Sequence, residues 1–267
     1  MIREYYRPTT IAEAVALKRQ YGDQILYYGG GTCINYAPTG CRAERAIGLE
    51  ELHLTNIGKE KGAVVIESGA TLQQIVDAAE TPAPLKKACG MVITRNVRNM
   101  ATIGGNIAAN RADSPIIPLL LAYGAQVELD DRKGIPIEEY IEGKTGGLIL
   151  KVLLPKTSSS FAVKRVTRSA NGLPVLTAAV KIEKKGERIC DAIVVVGGLE
   201  DRIRRLGEVE RQLIESQCKE PEETERLAAT LIQPADDFIG SGEYKRYICG
   251  VTVVDCIWEC LEQGGEL

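Results

Sequence analysis

Two segments place glycine where a backbone can do chemistry. The first is Gly29-Gly30-Gly31, preceded by Tyr27-Tyr28 and followed by Thr32-Cys33-Ile34-Asn35; the second is Gly104-Gly105, framed by Ala101-Thr102-Ile103 and Asn106-Ile107-Ala108. Positions without a Cβ let backbone N–H groups come within reach of an anionic ligand, and the neighbouring Thr and Asn add hydroxyl and amide donors. Neither segment has the GxGxxG spacing of a dinucleotide fingerprint, and neither is followed by the GK[ST] of a P-loop. A nucleotide bound here is held another way, by two separate loops gripping one pyrophosphate. A Gly-Gly-Gly after a strand is equally well a tight turn, so the pair carries more than either segment alone.

Other chemistry finds little support. The single histidine, His53, lies in EELHLTNIG with no motif around it. Triads, HExxH zinc sites and Cys-His dyads all need an imidazole among partners, so common hydrolase chemistry is disfavoured and a partly exposed loop histidine is expected. None of the eight cysteines (Cys33, Cys41, Cys89, Cys190, Cys218, Cys249, Cys256, Cys260) forms a CxxC pair. Cys256 and Cys260 share a helical face, but two thiols without further ligands make no zinc or iron-sulfur site; they read as small apolar residues on a buried face. The net charge of -3 comes from 33 basic and 36 acidic residues spread along the chain, which argues against nucleic acid as a partner. MIREYYRPTT carries charge where a signal peptide is apolar, and no apolar run approaches the roughly 20 residues of a membrane span, so a cytoplasmic location is expected.

The elements that must position the glycines can be read from spacing. Thr10 and Glu13 form a capping box for a helix ended by Gly22, and strands are predicted at Gln24 to Tyr28, Ala46 to Leu49 and Ala63 to Ser68. Thr71 and Gln74 repeat the capping box for a helix reaching Ala79. A short helix at Leu85 to Cys89 precedes a patterned, glycine-rich stretch, Arg95 to Ala112. Ser114-Pro115 opens a helix over Ile116 to Tyr123, and strands follow at Gln126 to Leu129 and Leu148 to Leu154. Pro155 to Ser160 is the best domain boundary. Beyond it, Val175 to Glu183 and Arg188 to Val196 form a hairpin through Lys184-Lys185-Gly186-Glu187. Helices at Pro221 to Ile232 and Glu243 to Glu262 close the chain, the second packing Tyr247, Val251, Val254, Trp258 and Leu261 into the core. Lys245-Arg246 reads as solvated charge at the start of that helix.

YYGGGTCINY resembles the AGGT-type segment, and VRNMATIGGNIA the RNxATIGGNI segment, of the FAD-binding (medium) subunits of the xanthine dehydrogenase and carbon monoxide dehydrogenase family of molybdenum hydroxylases. YYRPTTIAEAV, IIPLLLAYGAQVEL and GEYKRYICGV extend the resemblance over essentially the whole chain, in the family's order. It implies an α+β protein: a two-lobed α/β FAD-binding region of the PCMH, vanillyl-alcohol-oxidase-like type at 1–157, with lobes of about 1–53 and 54–157, then an α+β domain at 158–267 with an antiparallel sheet and helices. The cofactor-binding residues it implies are Tyr28, Gly29, Gly30, Gly31, Thr32, Cys33, Ile34, Ala101, Thr102, Ile103, Gly104, Gly105, Asn106, Asp113, Leu153 and Lys164, with no catalytic residue and no metal ligand in the chain.

The family departures fall near the flavin. Where relatives carry a cofactor-binding Asp past the second motif, this chain has Pro115, so either Asp113 substitutes or the contact is lost. In Arg165 to Val175, where relatives place a second arginine and an aromatic or acidic residue, it has Ser169, Asn171 and Leu173. The resemblance also implies a flavin-dependent oxidoreductase subunit. A small [2Fe-2S] subunit and a large molybdopterin subunit would be its partners, and electrons would pass through FAD to an acceptor such as NAD. The alternatives are the flavin subunit of a related reductase complex acting on selenium or purine compounds, a flavin enzyme acting alone, and a partner-binding scaffold that has lost FAD.

Overall fold

Side-chain caps start four of the first five α-helices, and the strands between them are short. A computed structural model describes residues 2–35, 43–92, 94–169 and 172–263; Cys41 and Asn171 lie outside the described residues. In chain order the elements are β1 (Glu4–Tyr6), α1 (Ile11–Tyr21), β2 (Ile25–Tyr28), β3 (Arg45–Gly48), β4 (Ile57–Glu60), β5 (Ala63–Glu67), α2 (Leu72–Asp77), α3 (Ala83–Gly90), α4 (Arg95–Met100) and α5 (Ile103–Ala109). They continue with α6 (Ile117–Tyr123), β6 (Gln126–Leu129), β7 (Ile135–Pro136), α7 (Ile137–Ile141), β8 (Ile149–Leu154), β9 (Ser160–Thr167), β10 (Pro174–Lys185), β11 (Arg188–Gly197), β12 (Arg204–Arg205), α8 (Gly207–Ser216), α9 (Pro221–Thr230) and α10 (Gly242–Gln263). Packing groups the described residues of 1–81, 94–110 and 124–155 into one compact unit and those of 82–93, 111–123 and 156–267 into another. No helix among the described residues is long and apolar enough to cross a membrane.

The first unit holds two sheets. A parallel one, β1-β3-β2, packs Ile25 and Ile47 with Ala14 of α1, whose start is fixed by Thr10 accepting from the Glu13 N–H. Because β2 and β3 run the same way with Tyr28 opposite Gly48, both strands deliver their chains to the same edge. The other sheet, β4-β5-β8-β6-β7, is antiparallel throughout. After β5 the expected capping box is complete: Thr71 accepts from the Gln74 N–H, and the Gln74 side chain accepts from the Thr71 N–H. The patterned, glycine-rich stretch Arg95 to Ala112 contains two helices. Thr94 caps α4 through the Val97 N–H and Thr102 caps α5 through the Gly105 N–H, so the hydroxyls set helix starts that glycine content obscures.

The second unit is built on the antiparallel sheet β12-β11-β10-β9, with the expected hairpin joining β10 to β11. It also takes in two segments from earlier in the chain, those of α3 and α6. Tyr123 of α6 stacks on Phe161 of β9 with ring centroids 3.8 Å apart.

Two expectations for α10 are corrected. The face against the core is Cys249, Val253, Cys256, Ile257 and Cys260, while Tyr247 is 61% and Trp258 45% exposed and Val251 and Val254 are half-buried. Both faces of this helix are apolar, and the small thiols are the ones that let it settle onto β10, with the Cys256 and Cys260 Sγ atoms directed at the Ala178 and Val180 carbonyls. The reading of the cysteines as buried apolar residues therefore holds for this helix. Lys245 is not solvated charge: it is buried, paired with Asp237 at 2.7 Å and donating to the Ala235 carbonyl, as a desolvated ammonium requires. Arg246 is exposed.

Ile257→Ala, on the inner face, is expected to lower stability by ~2–5 kcal/mol. Tyr247→Ala, outward, is expected to change it by no more than about 0.5 kcal/mol. Denaturant midpoints compare the two, and equal losses would contradict the orientation. Burial pushes the Cys249 and Cys256 thiols up to about 12. Unfolded thiols ionise near ~8.5, so the folded state binds more protons between those values. Stability should be complete below about pH 8.5 and fall as pH rises above it, which midpoints measured at neutral and alkaline pH will show.

Candidate functional site

The glycine segment leaves the carboxyl end of β2 and turns at once. Gly31 has φ +69, a conformation other residues adopt only under strain, and Asn35 closes the turn by donating its N–H to the Gly31 carbonyl at 2.9 Å. Tyr28 braces it from below: its hydroxyl accepts from the Asn35 amide at 2.7 Å, its ring meets Tyr5 edge-on at 5.6 Å, and a side chain at Gly31 would strike that hydroxyl. Thr32, Cys33 and Ile34 form the turn itself and are half-buried.

The second segment comes to meet it. A Cβ at Gly30 would fall on the Met100 carbonyl, and one at Gly29 would lie 3.0 Å from the Thr102 hydroxyl. The two backbones therefore approach as closely as glycine allows. Thr102 is tied across to Thr71 by a β-bridge, Ala101 accepts from the Leu72 N–H at 2.8 Å, and Ile103 is fully buried with its N–H on the Ala70 carbonyl.

The two segments differ in what they offer. Among the described residues, no hydrogen bond takes up the backbone N–H groups of Gly29, Gly30 or Gly31. In the second segment, by contrast, Gly104 donates to the Ser68 carbonyl at 2.9 Å, Gly105 to the Thr102 hydroxyl at 3.1 Å and Asn106 to the Thr102 carbonyl at 2.9 Å. The expectation that both segments present free N–H groups is corrected. Gly104 is glycine for packing, since a Cβ there would lie 2.6 Å from Ser68 Cβ. The first segment supplies donors, and the second supplies a close-fitting floor and the Thr102 hydroxyl.

Between them opens a cleft of about 320 Å³, lined by Gly29, Gly30, Thr102, Gly104 and Gly105 together with Ser68 and Gly69. That volume lies within the usual ~300–1,000 Å³ of small-molecule sites. Leu54, Ala108, Leu148 and Ile149 make an apolar wall, and Tyr27, Tyr140 and Glu50 complete the lining. Burial, helped by the Asp130 carboxylate, pushes the Tyr27 phenol up to about 12; burial also raises Tyr140. Both phenols are neutral donors at physiological pH and do not repel an anion.

Of the residues implied by the resemblance, Gly29, Gly30, Thr102, Gly104 and Gly105 line this cleft; Tyr28, Gly31, Thr32, Cys33, Ile34, Ala101, Ile103 and Asn106 adjoin them in the chain without lining it, and three more lie elsewhere. Leu153 pairs with Val65 and Gln126 farther along the strand that contributes Ile149. Asp113 and Lys164 belong to the second unit: Asp113 is held by Arg111 at 2.7 Å, and Lys164 by Asp255 at 3.5 Å and Glu259 at 3.9 Å. His53 is exposed at the end of a 3-10 turn, as expected. Sequence reasoning missed Glu50, Tyr27, Tyr140 and the Ser68-Gly69 turn. Only the position of Glu50, just past a strand parallel to the one bearing the glycines, was a readable signal.

Comparison with known proteins gives matches over nearly the whole chain. Residues 1–157 match a family model described as the FAD binding domain in molybdopterin dehydrogenase, and residues 161–260 match the CO dehydrogenase flavoprotein C-terminal domain. The chain is similar to the uncharacterized protein YgfM of Escherichia coli K12, 35% identical over 100% of this chain and 99% of that one. The carbon monoxide dehydrogenase medium chain of Afipia carboxidovorans is 25% identical over 94% of this chain and 93% of its own. Among solved structures, Cu,Mo-CO dehydrogenase in a cyanide-inactivated form superposes with a TM-score of 0.86 at 22% identity, covering 98% of this chain and 99% of that one. Quinoline 2-oxidoreductase from Pseudomonas putida 86 gives 0.86 at 17%, covering 98% of each. At such identities these two likenesses speak for the fold.

Gly104→Val is expected to destabilise the protein by ~1–3 kcal/mol, because its side chain must displace the Ser68 turn. Gly105→Ala meets only the cap hydroxyl of its own turn, at 2.8 Å, and should cost less. Thermal unfolding of the two variants checks the order, and a reversal would contradict the packing described for Gly104.

Proposed function

The chain belongs to the family of FAD-binding domains of molybdopterin dehydrogenases, and from that membership we propose that it is the flavin-carrying electron-transfer subunit of a xanthine dehydrogenase-like molybdenum hydroxylase complex. The observation that carries the reading is the convergence of two distant glycine segments on one open cleft, with the N–H groups of Gly29 to Gly31 left without a hydrogen-bond partner among the described residues. A scaffold that had lost its cofactor has no use for such donors, and side chains could fill the space.

The residues present fit FAD. The N–H groups of Gly29, Gly30 and Gly31 would donate to its diphosphate, charge-assisted bonds that a Cβ at these positions would obstruct. The Thr102 hydroxyl, already an acceptor for Gly105, has its own proton to donate beside Gly29. Tyr27, a neutral phenol, adds no charge against the anion. Leu54, Leu148 and Ile149 would exclude water from the apolar parts of the ligand. When bound, FAD supplies exchange of two electrons in single steps, which connects one-electron clusters to a two-electron acceptor. Among the described residues the cleft is lined by phenols and one carboxylate suited to binding and by no imidazole or thiol for acid-base or nucleophilic work, as an electron-transfer part requires.

The relative from Afipia carboxidovorans is named a medium chain, and the proposed companions here are likewise a small [2Fe-2S] subunit and a large molybdopterin subunit. Electrons would pass from the clusters through this chain to an acceptor such as NAD. Asp113, Leu153 and Lys164 remain proposed cofactor-binding residues on the strength of the resemblance alone.

The purified chain or complex is expected to be yellow and to release FAD on denaturation. Gly30→Val, which drives a side chain into the Met100 carbonyl, should reduce flavin retained per folded protein at least about tenfold, the scale of one or two charge-assisted hydrogen bonds. A folded, colourless wild-type complex that takes up no added FAD would overturn the proposal.

A further inference from the structure

The parallel sheet brings one further group to the cleft. The glycine segment follows the carboxyl end of β2, and Glu50 follows the carboxyl end of β3, the strand beside it. Both line the same cleft. Doubly wound sheets hold nucleotides with the same spatial logic: a glycine turn takes the pyrophosphate, and a carboxylate about 20 residues on, one strand over, accepts a ribose hydroxyl. This sheet is not of that fold and its glycines lack that fingerprint. The geometric requirement is nonetheless met, since neighbouring strands lie about 4.8 Å apart, on the scale of one sugar ring.

The Glu50 carboxylate is held in place without being saturated. Its Oε1 accepts from Arg7 Nε at 3.0 Å and its Oε2 from the Tyr5 hydroxyl at 3.1 Å. Gly48 leaves room for this arrangement, because a Cβ there would run into both Glu50 Oε2 and the Tyr5 hydroxyl. An ionised carboxylate has about four acceptor sites, so each oxygen keeps one for a ligand. Arg7 and Tyr5 fix the carboxylate's direction, and Arg7 is itself engaged by Glu51 at 2.7 Å.

We propose that Glu50 accepts a hydrogen bond from the 2′-hydroxyl of the adenosine ribose of the bound dinucleotide, and so selects a ribose-bearing cofactor. This rests on the FAD reading above. A carboxylate there also disfavours a 2′-phosphate, by like charge.

The test uses the full chain as wild type, Glu50→Gln and Glu50→Ala, each titrated by flavin fluorescence with FAD and with an FAD analogue lacking the adenosine 2′-hydroxyl. Wild type is expected to bind the analogue about tenfold more weakly than FAD, as for loss of one charged hydrogen bond. In Glu50→Ala the two ligands should bind alike, with Glu50→Gln between. Each comparison lies within one variant, so a loss of folded protein cancels. An undiminished gap in Glu50→Ala, or no gap in wild type, would overturn the proposal while leaving the flavin reading intact. Failure of wild type to bind either ligand would overturn both.

Discussion

The first unit depends on a contact between two stretches of backbone. The chain at Gly30 lies against the Met100 carbonyl at a distance that no side chain permits, and neighbouring geometry is arranged around it. The β-bridge from Thr102 to Thr71 and the hydrogen bonds of Ile103 and Gly104 to Ala70 and Ser68 pin the second segment to the end of β5. The parallel register of β2 with β3 fixes the first. With both segments held, the cleft is preformed, and a ligand need not be the agent that orders it.

The two segments divide the work according to where their N–H groups go. Helix α5 consumes its own donors through the Thr102 cap and the Ser68 carbonyl, whereas no described residue bonds the N–H groups of Gly29 to Gly31 in the turn after β2. Two glycine-rich strings that look alike in sequence thus differ in function, one presenting donors and the other allowing close packing. The phenols of Tyr27 and Tyr140, neutral at physiological pH like any tyrosine and moved further from ionisation by burial, put no charge beside the place proposed for a polyanion.

Much of this was legible in the sequence where the signal is local. The hydroxyl cap at Thr10, the capping box at Thr71 and the helix after Ser114 follow from side-chain-to-backbone bonds spanning a few residues, although the Glu13 carboxylate closes on the Thr9 N–H and so leaves the box expected at Thr10 incomplete; the hairpin at Gly186 follows from its turn residues. The glycine segments were legible as a pair, but the fate of their N–H groups was not, because it is decided by Ser68 and Ala70, far from either motif until the chain folds. The inner face of α10 was misread for a related reason. Periodicity marks two apolar faces, and only the approach of β10 to the thiols of Cys256 and Cys260 selects between them. Lys245 likewise has its partner Asp237 in the loop before the helix, which no helical wheel includes. Strands β1 and β9, carried by sheet partners rather than by turn signals, escaped the pattern altogether.

Amide hydrogen exchange with and without added FAD reads out directly which glycine N–H groups meet the ligand. Exchange is expected to slow on binding at Gly29, Gly30 and Gly31, whose N–H groups gain acceptors. Gly104 and Asn106, already bonded within the protein, should change little by comparison. Unchanged exchange at the three glycines in the presence of bound FAD would contradict the proposed contact.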